Sequence, residues 1–451
     1  MPQIDAGRLL DEGHWGGYQK WLVFLTALTI VFDGIDNQLL GVAMPSMMQE
    51  WSVPRAAFSP VVSIGYAGMM VGGALAGLAG DRFGRRSALL VSMALFGAMT
   101  AAGAGAASPF HLTLVRFLAG AGLGGAVPNA AALAAEYVPL RHRPMAVTLT
   151  IVCVPVGAAI AGLLGIRALP LVGWRTLFMI GGVMPMLGAL ALTRVLPESP
   201  RYLARHPRRW PELVRALARM GHRTPGGATF IDSVERSVER VSLRTLFRSE
   251  MRVDTLSLFA AFFSCLLAVY LGFSWLTALL TNAGFDPATA NVGITAFNLG
   301  GVAGALGGSA VIGGLGSRLP MLAMTAGAVV GALVLSMMKI DASQPVLPIL
   351  VMLTLTGGLI NAVQVTMYAL AAHMYPSAVR ATGVGAAAGV GRLGAMLSGY
   401  AGAWAIDYRG SRSYFALIAS AMCAAFVSLA LIKRHVQTTK QAGPTARSMR
   451  R

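Results

Sequence analysis

Apolar runs of about twenty residues, broken by short polar stretches, recur along almost the whole chain. None of them alternates residue by residue, as the strands of a membrane barrel would. A helix needs about 20 mainly apolar residues to cross a bilayer. In hydrocarbon it also closes its own backbone hydrogen bonds, which an open strand cannot do. The pattern predicts twelve spanning helices, at 21–44, 58–80, 87–106, 110–135, 144–169, 174–196, 254–281, 289–314, 319–338, 345–373, 379–406 and 412–433. These form two sets of six, an N-terminal half over 21–196 and a C-terminal half over 254–433. A polar N-terminal segment (1–20), an arginine-rich linker (197–253) with short surface helices, and a basic tail (434–451) remain outside them. The expected fold class is all-α and membrane-embedded.

Composition supports the pattern. The 451 residues are 55% hydrophobic and only 12% charged, with a mean hydropathy of +0.65. A soluble domain carries about 25% charged residues. The net charge of +18 would suggest nucleic acid in a soluble protein. Here the arginines gather in loops, without the interleaved aromatic residues of a nucleic-acid platform, so no nucleic-acid partner is expected.

Basic loops instead set topology. Arg82, Arg85, Arg86, Arg141, Arg143, Arg318, Arg380 and the tail all fall on the linker's side if both termini are cytoplasmic. The opposite loops hold Arg55, Arg167, Lys339, Arg409 and Arg412. Arginine outnumbers lysine, and Ala and Gly abound, as in a GC-rich bacterial genome, so the expected location is a bacterial inner membrane. The first apolar run is full length, with no cleavable signal before it. Cys153, Cys265 and Cys423 lie in apolar runs without metal-ligand spacing and read as small core residues. No metal or cofactor is expected, and the lipid bilayer is the partner of a monomer.

The halves echo each other. Pro139 to Arg143 and Pro376 to Arg380 each place an arginine four residues after a proline, 237 residues apart. A weaker echo joins Gly80–Arg86 to Gly313–Arg318, which lacks the acid. Repeated halves around a central site are the architecture of alternating-access carriers.

The sharpest motif is Gly77-x-x-Gly80-Asp81-Arg82-Phe83-Gly84-Arg85-Arg86, between the second and third spans. Gly84 permits a tight turn, and Asp81 can bond a helix end or a basic group. The stretch resembles the loop signature of the major facilitator superfamily. That resemblance implies that Asp81, Arg82, Gly84 and Arg85 latch a gate; a topology-setting basic loop is the plainer alternative. Glu136, Arg143 and Arg380, at cytoplasmic helix ends, are expected to be gate residues too.

Asp33 and Asp36 lie three apart in the first span, on one helix face. An intramembrane acid is costly and marks function by default; here it suits proton coupling, with a structural ion pair as the alternative. Counted at 1.5 Å per residue, Asp36 lies about 12 Å below the outer end of helix 1. Arg116 lies about 9 Å below that of helix 4, so the two can meet. Arg116 is expected to pair with the acid or to receive an anionic substrate. Arg392, near the middle of span eleven, has no acid in the second half at its depth, and its planar fork suits a carboxylate. It is the first choice of substrate anchor. Tyr66, Asn129, Tyr270, Asn361 and Tyr368 are further polar or aromatic groups inside spans; Asn37, Trp275, Asn298 and Gln364 are the additional candidates for substrate contact.

Taken together, Asp33-Gly34-Ile35-Asp36, Arg116 through Asn129 with Glu136-Tyr137-Val138-Pro139, the Trp275–Leu280 segment and Gly391-Arg392 resemble the aromatic acid:proton symporter family. Pro197-Glu198-Ser199-Pro200-Arg201 is shared with sugar and organic-ion porters. The resemblance covers nearly the whole chain. It implies the major facilitator fold and uptake of a small aromatic carboxylate, such as a hydroxybenzoate, with protons. It also implies coupling at Asp33 and Asp36 and a need for Arg116 and Arg392. A porter of another organic acid, nicotinate or a sugar is the alternative within transport. So is a drug–proton antiporter, since Val154-Pro155-Val156-Gly157 distantly echoes an antiporter motif. A transporter-like ligand sensor is the alternative outside it. An enzyme is not expected, since no nucleophile–base pair or metal cluster stands out.

Overall fold

The structure is a computed structural model, and it describes residues 3–222, 224–225, 227–232, 246–247, 251–375 and 379–435. Much of the linker, Pro376 of the repeated proline–arginine motif and the tail from 436 onward lie outside the described residues.

The described chain is almost entirely helical. Its α-helices are α1 (Ala6–Asp11), α2 (Gly17–Trp51), α3 (Ser59–Phe83), α4 (Arg85–Gly103), α5 (Pro109–Tyr137), α6 (Arg143–Arg167), α7 (Leu169–Val195), α8 (Pro200–Ala204), α9 (Trp210–Arg219), α10 (Arg252–Asn282), α11 (Pro287–Leu315), α12 (Arg318–Met337), α13 (Val346–Met374), α14 (Arg380–Arg409) and α15 (Ser411–Leu431). Twelve of these have 19 residues or more, and each coincides with one expected span. Eleven stretches of the described chain are long and apolar enough to cross a membrane. The exception among the twelve is α14, whose seven glycines add little hydropathy and which carries Arg392 at mid-length. Leucines such as Leu78, Leu190 and Leu347 are about two-thirds exposed, the apolar exterior that a lipid-solvated bundle requires.

Two boundaries differ from the sequence reading by five residues or more. α2 runs on past residue 44, through Pro45, to Trp51. Tertiary contacts hold this extension. Trp51 stacks on Phe58 and meets Trp174 edge-on, and the Trp174 indole donates to Glu50 at 2.6 Å. α7 breaks at Gly173, where φ is +73°, so its straight part starts where the pattern put the span.

Of the cysteines, Cys265 is buried in the core as expected. Cys423, by contrast, is exposed on the outer face of α15, and Cys153 is half-buried.

The linker carries short helices, α8 and α9, but only α9 lies at the surface as expected; every residue of α8 is buried. It also carries an element that the sequence did not suggest. Strands β1 (Gln3–Asp5) and β2 (Thr229–Ile231) pair in parallel, with Ile4 opposite Phe230. Three-residue strands more than two hundred residues apart leave no periodic signal. The Asp5 carboxylate then caps α1 by accepting from the Arg8 amide at 3.1 Å.

The described residues group into two compact units. Unit 1 draws on Met1–Asn37, Ala67–Gly157 and Arg175–Glu239; unit 2 draws on Gln38–Tyr66, Ala158–Trp174 and Arg240–Arg451. The same packing device recurs in each. In unit 1, a Cβ on Gly72 of α3 would overlap the Ala121 carbonyl of α5, and one on Gly34 of α2 would overlap the Val154 carbonyl of α6. In unit 2, Gly304 of α11 meets the Gly358 carbonyl of α13, and Gly394 of α14 meets the Phe263 carbonyl of α10. Small residues let helix backbones touch, which is how helices associate in lipid. Second and fourth spans thus pair in unit 1 as eighth and tenth do in unit 2, and first and fifth as seventh and eleventh. This is the internal repeat that the proline–arginine motif announced. Its arginines echo too: Arg143 Nε donates to Ala135 O at 3.0 Å, and Arg380 Nε to Tyr375 O at 3.4 Å, each tying the start of one helix to the chain before it.

Candidate functional site

Three clusters of polar residues stand out. The first lies inside unit 1. Asp36 of α2 is fully buried, and its Oδ2 accepts from Arg116 Nη1 of α5 at 3.2 Å. The second carboxylate oxygen accepts from the Thr100 hydroxyl of α4. Three helices therefore meet at one carboxylate. The expected Asp36–Arg116 contact is present, although α2 ends seven residues later than the count assumed, so depths counted from the observed helix ends no longer match. Arg116 Nε is buried without a hydrogen-bond partner among the described residues. Asp33, one turn earlier, is equally buried, as is Asn37. An ion pair removed from water is costly to form, and neutralising one member leaves the other charge buried and uncompensated, which favours rearrangement.

The second cluster lies inside unit 2, around Arg392. The guanidinium donates from Nη1 to the Tyr270 hydroxyl of α10 at 2.5 Å and stands 5.6 Å from the centre of that ring. Tyr270 in turn packs on Tyr66 at 4.4 Å between centroids, and the Tyr66 hydroxyl shares a 2.7 Å hydrogen bond with Ser274. Tyr368, edge-on to Phe262 at 5.0 Å, is within electrostatic reach of Arg392. A cation flanked by phenols offers charge, hydroxyls and ring faces together, as recognition of an aromatic anion requires.

The other substrate candidates separate by setting. Asn298 donates to Gln38 Oε1 at 3.3 Å, and Gln38 donates to Phe273 O at 2.7 Å, a buried chain of amides. Trp275 is fully buried against Gly402, a packing position. Gln364 is half-buried on α13.

The third cluster gathers the gate candidates of unit 1 at the linker end. Asp81 near the end of α3 bonds Arg85 at the start of α4 at 2.5 Å, across the break at Gly84, and Arg85 Nε is 3.9 Å from Glu136. Glu136 also accepts from the Ser199 hydroxyl. Gly84 has φ of +101°, a conformation suited to glycine, and a Cβ there would overlap the Glu198 carboxylate. Glu198 accepts from the amides of Arg86 and Ser199, both at 2.9 Å, so it caps the start of α4. Arg82 stands 5.3 Å over the Phe83 ring, and its carbonyl accepts from Tyr202 at 3.3 Å. Arg143 bonds Asp11 of α1, which also accepts from Arg201 at 2.7 Å. Arg380 belongs to unit 2 and bonds only local backbone among its described contacts.

Sequence reasoning had no role for Thr100, Asp11 or the capping carboxylate of Glu198, and it named Tyr270 only among many polar groups. Asp11 sits in a segment read only as polar and outside the spans. Thr100 and Tyr270 are uncharged, so hydropathy alone does not set them apart.

Comparison with known proteins bears on this geometry. A family model described as Major Facilitator Superfamily matches residues 26–363 and 258–449. The chain is 33% identical, over 88% of both chains, to a gallate transporter of Pseudomonas putida. It is 34% identical to the 4-hydroxybenzoate transporter PcaK of Acinetobacter baylyi, over 89% of this chain and 88% of that one. Among solved structures it is similar to the xylose transporter XylE from E. coli in a partially occluded inward-open conformation. The TM-score is 0.75 at 16% identity, covering 95% of this chain and 100% of that one, a likeness of fold. Twelve long helices, a repeated glycine packing scheme and a matching family model have one reading: the chain is a multi-pass membrane transporter, not an enzyme, and belongs to the Major Facilitator Superfamily.

Proposed function

We propose that this protein imports a small aromatic carboxylate, of the hydroxybenzoate kind, together with protons across a bacterial inner membrane, with both termini cytoplasmic. The observation that carries the reading is Arg392 set among phenol rings. A planar guanidinium holds a carboxylate through two parallel hydrogen bonds, and the neighbouring rings supply faces for an aromatic body. The names of the gallate and 4-hydroxybenzoate relatives support the same substrate class.

Proton coupling is assigned to Asp36, with Asp33 close by on the same helix. A proton added to Asp36 cancels the negative half of a buried ion pair and releases Arg116. That converts a protonation event into a choice between two arrangements of α2, α4 and α5. Two acids one turn apart titrate as a coupled pair, so the proton belongs to both until the pair is separated by mutation. The cluster of Asp81, Arg82, Gly84, Arg85, Glu136 and Arg143 is assigned to the gate.

The test is ligand stabilisation of the purified protein, since a ligand that binds the folded state raises apparent stability. Benzoate-type acids should raise the unfolding temperature of the wild type and leave Arg392→Ala unmoved. Stabilisation only by sugars or by cationic amines would remove the substrate assignment.

A further inference from the structure

Tyr270 has chemistry left over after its contact with Arg392. Its oxygen accepts from Arg392 Nη1 at 2.5 Å. A phenol both accepts and donates, and among the described residues no acceptor takes its proton. The residue is buried (5% exposed), so water does not readily supply one. Its ring is steadied by Tyr66 at 4.4 Å and by Phe273, edge-on, at 5.8 Å.

Depth agrees. Tyr270 lies about 18 Å along α10 from Asn282, and Arg392 about 18 Å along α14 from Arg380, both near mid-helix. A span of hydrocarbon is about 30 Å, so both sit deep in it.

We propose that Tyr270 is a substrate-binding residue that both completes the carboxylate site and selects for aromatic rings. Resting on the reading of Arg392 as anchor, it extends that reading to a second donor. The Tyr270 O–H donates to the carboxylate that Arg392 grips, while keeping its lone-pair contact with Nη1. No bond is made or broken covalently. The ring, held by Tyr66, forms the wall against which the substrate's ring lies. One side chain thus ties carboxylate recognition to ring recognition, and an aliphatic acid gains only the first.

The experiment titrates purified protein with benzoate and with cyclohexanecarboxylate, which share a carboxylate and differ in ring character. Dissociation constants are measured by calorimetry, alongside the unfolding temperature of each ligand-free variant. Wild type should favour benzoate. Tyr270→Phe removes only the hydroxyl and should weaken both ligands by about tenfold, as loss of a hydrogen bond to a charged group does. The preference for benzoate should survive. Tyr270→Leu removes the ring too and should cost benzoate about threefold or more beyond that, erasing the preference. If Tyr270→Leu does not fold, Tyr66→Leu loosens the same ring and should narrow the preference. Unchanged or tighter binding in Tyr270→Phe, or a preference intact without the ring, overturns the role of Tyr270. If Arg392→Ala abolishes binding while Tyr270→Phe changes nothing, only the tyrosine's role falls. If Arg392→Ala binds both acids as wild type does, the anchor falls and Tyr270 with it.

Discussion

Arg116 and Arg392 are both arginines deep in membrane helices, and they are held in different ways. Arg116 meets a fully buried carboxylate, Asp36, whose other oxygen is taken by Thr100. Arg392 meets a phenol, Tyr270, in a nest of rings. The first arrangement is closed and balanced: it changes only when a proton or a conformational step disturbs both members. The second sets a guanidinium against a hydroxyl and an aromatic ring. In the proposed mechanism the first arginine reports protonation and the second receives an anion. A transporter that couples the two needs both kinds.

The largest effect should separate the two arginines by stability. Arg116→Ala leaves Asp36 buried without its guanidinium and should cost about 3–5 kcal/mol. Arg392→Ala takes a donor from a phenol rather than from a buried carboxylate, and should cost less, about 1–3 kcal/mol. Thermal unfolding in detergent reads both; equal losses would dissolve the distinction. Next, Asp36→Asn combined with Arg116→Gln removes the charges together. It should regain a large part of what Arg116→Ala loses, and a double-mutant cycle measures that coupling. Independent losses that simply add would mean that the pair is not a unit.

Arg392→Lys keeps the charge and loses the planar fork, so affinity for benzoate should fall about tenfold with little change in unfolding temperature. Unchanged affinity would turn attention to Arg116 as the anchor. The smallest effect is Thr100→Val, which removes one donor from Asp36 and should cost about 1 kcal/mol. It should also alter the pH dependence of transport without altering ligand affinity.

Much of this was readable from residue order, and the reasons are physical. Spans were legible because lipid imposes one length and one polarity on every crossing; α14 was found although Arg392 and seven glycines lower its hydropathy. Asp36 and Arg116 could be matched because charges in hydrocarbon are few. The end of α2 was misplaced because aromatic contacts from Phe58 and Trp174, distant in sequence, carry the helix on to Trp51. Tyr270 was named but not singled out, since a neutral phenol in a span is more often packing, and only its 2.5 Å approach to Arg392 lifts it from that background. Asp11, shared by Arg143 and Arg201, was hidden in the same way: its partners lie 132 and 190 residues away along the chain.

The most direct measurement is uptake of labelled 4-hydroxybenzoate by proteoliposomes under an imposed pH gradient, wild type beside Asp36→Asn. Wild type should accumulate the acid when the outside is acidic and lose that accumulation with a protonophore. Asp36→Asn should fail to accumulate yet still exchange labelled for unlabelled substrate. Full accumulation in Asp36→Asn, or wild-type flux that runs against the proton gradient, would contradict proton-coupled uptake through this carboxylate.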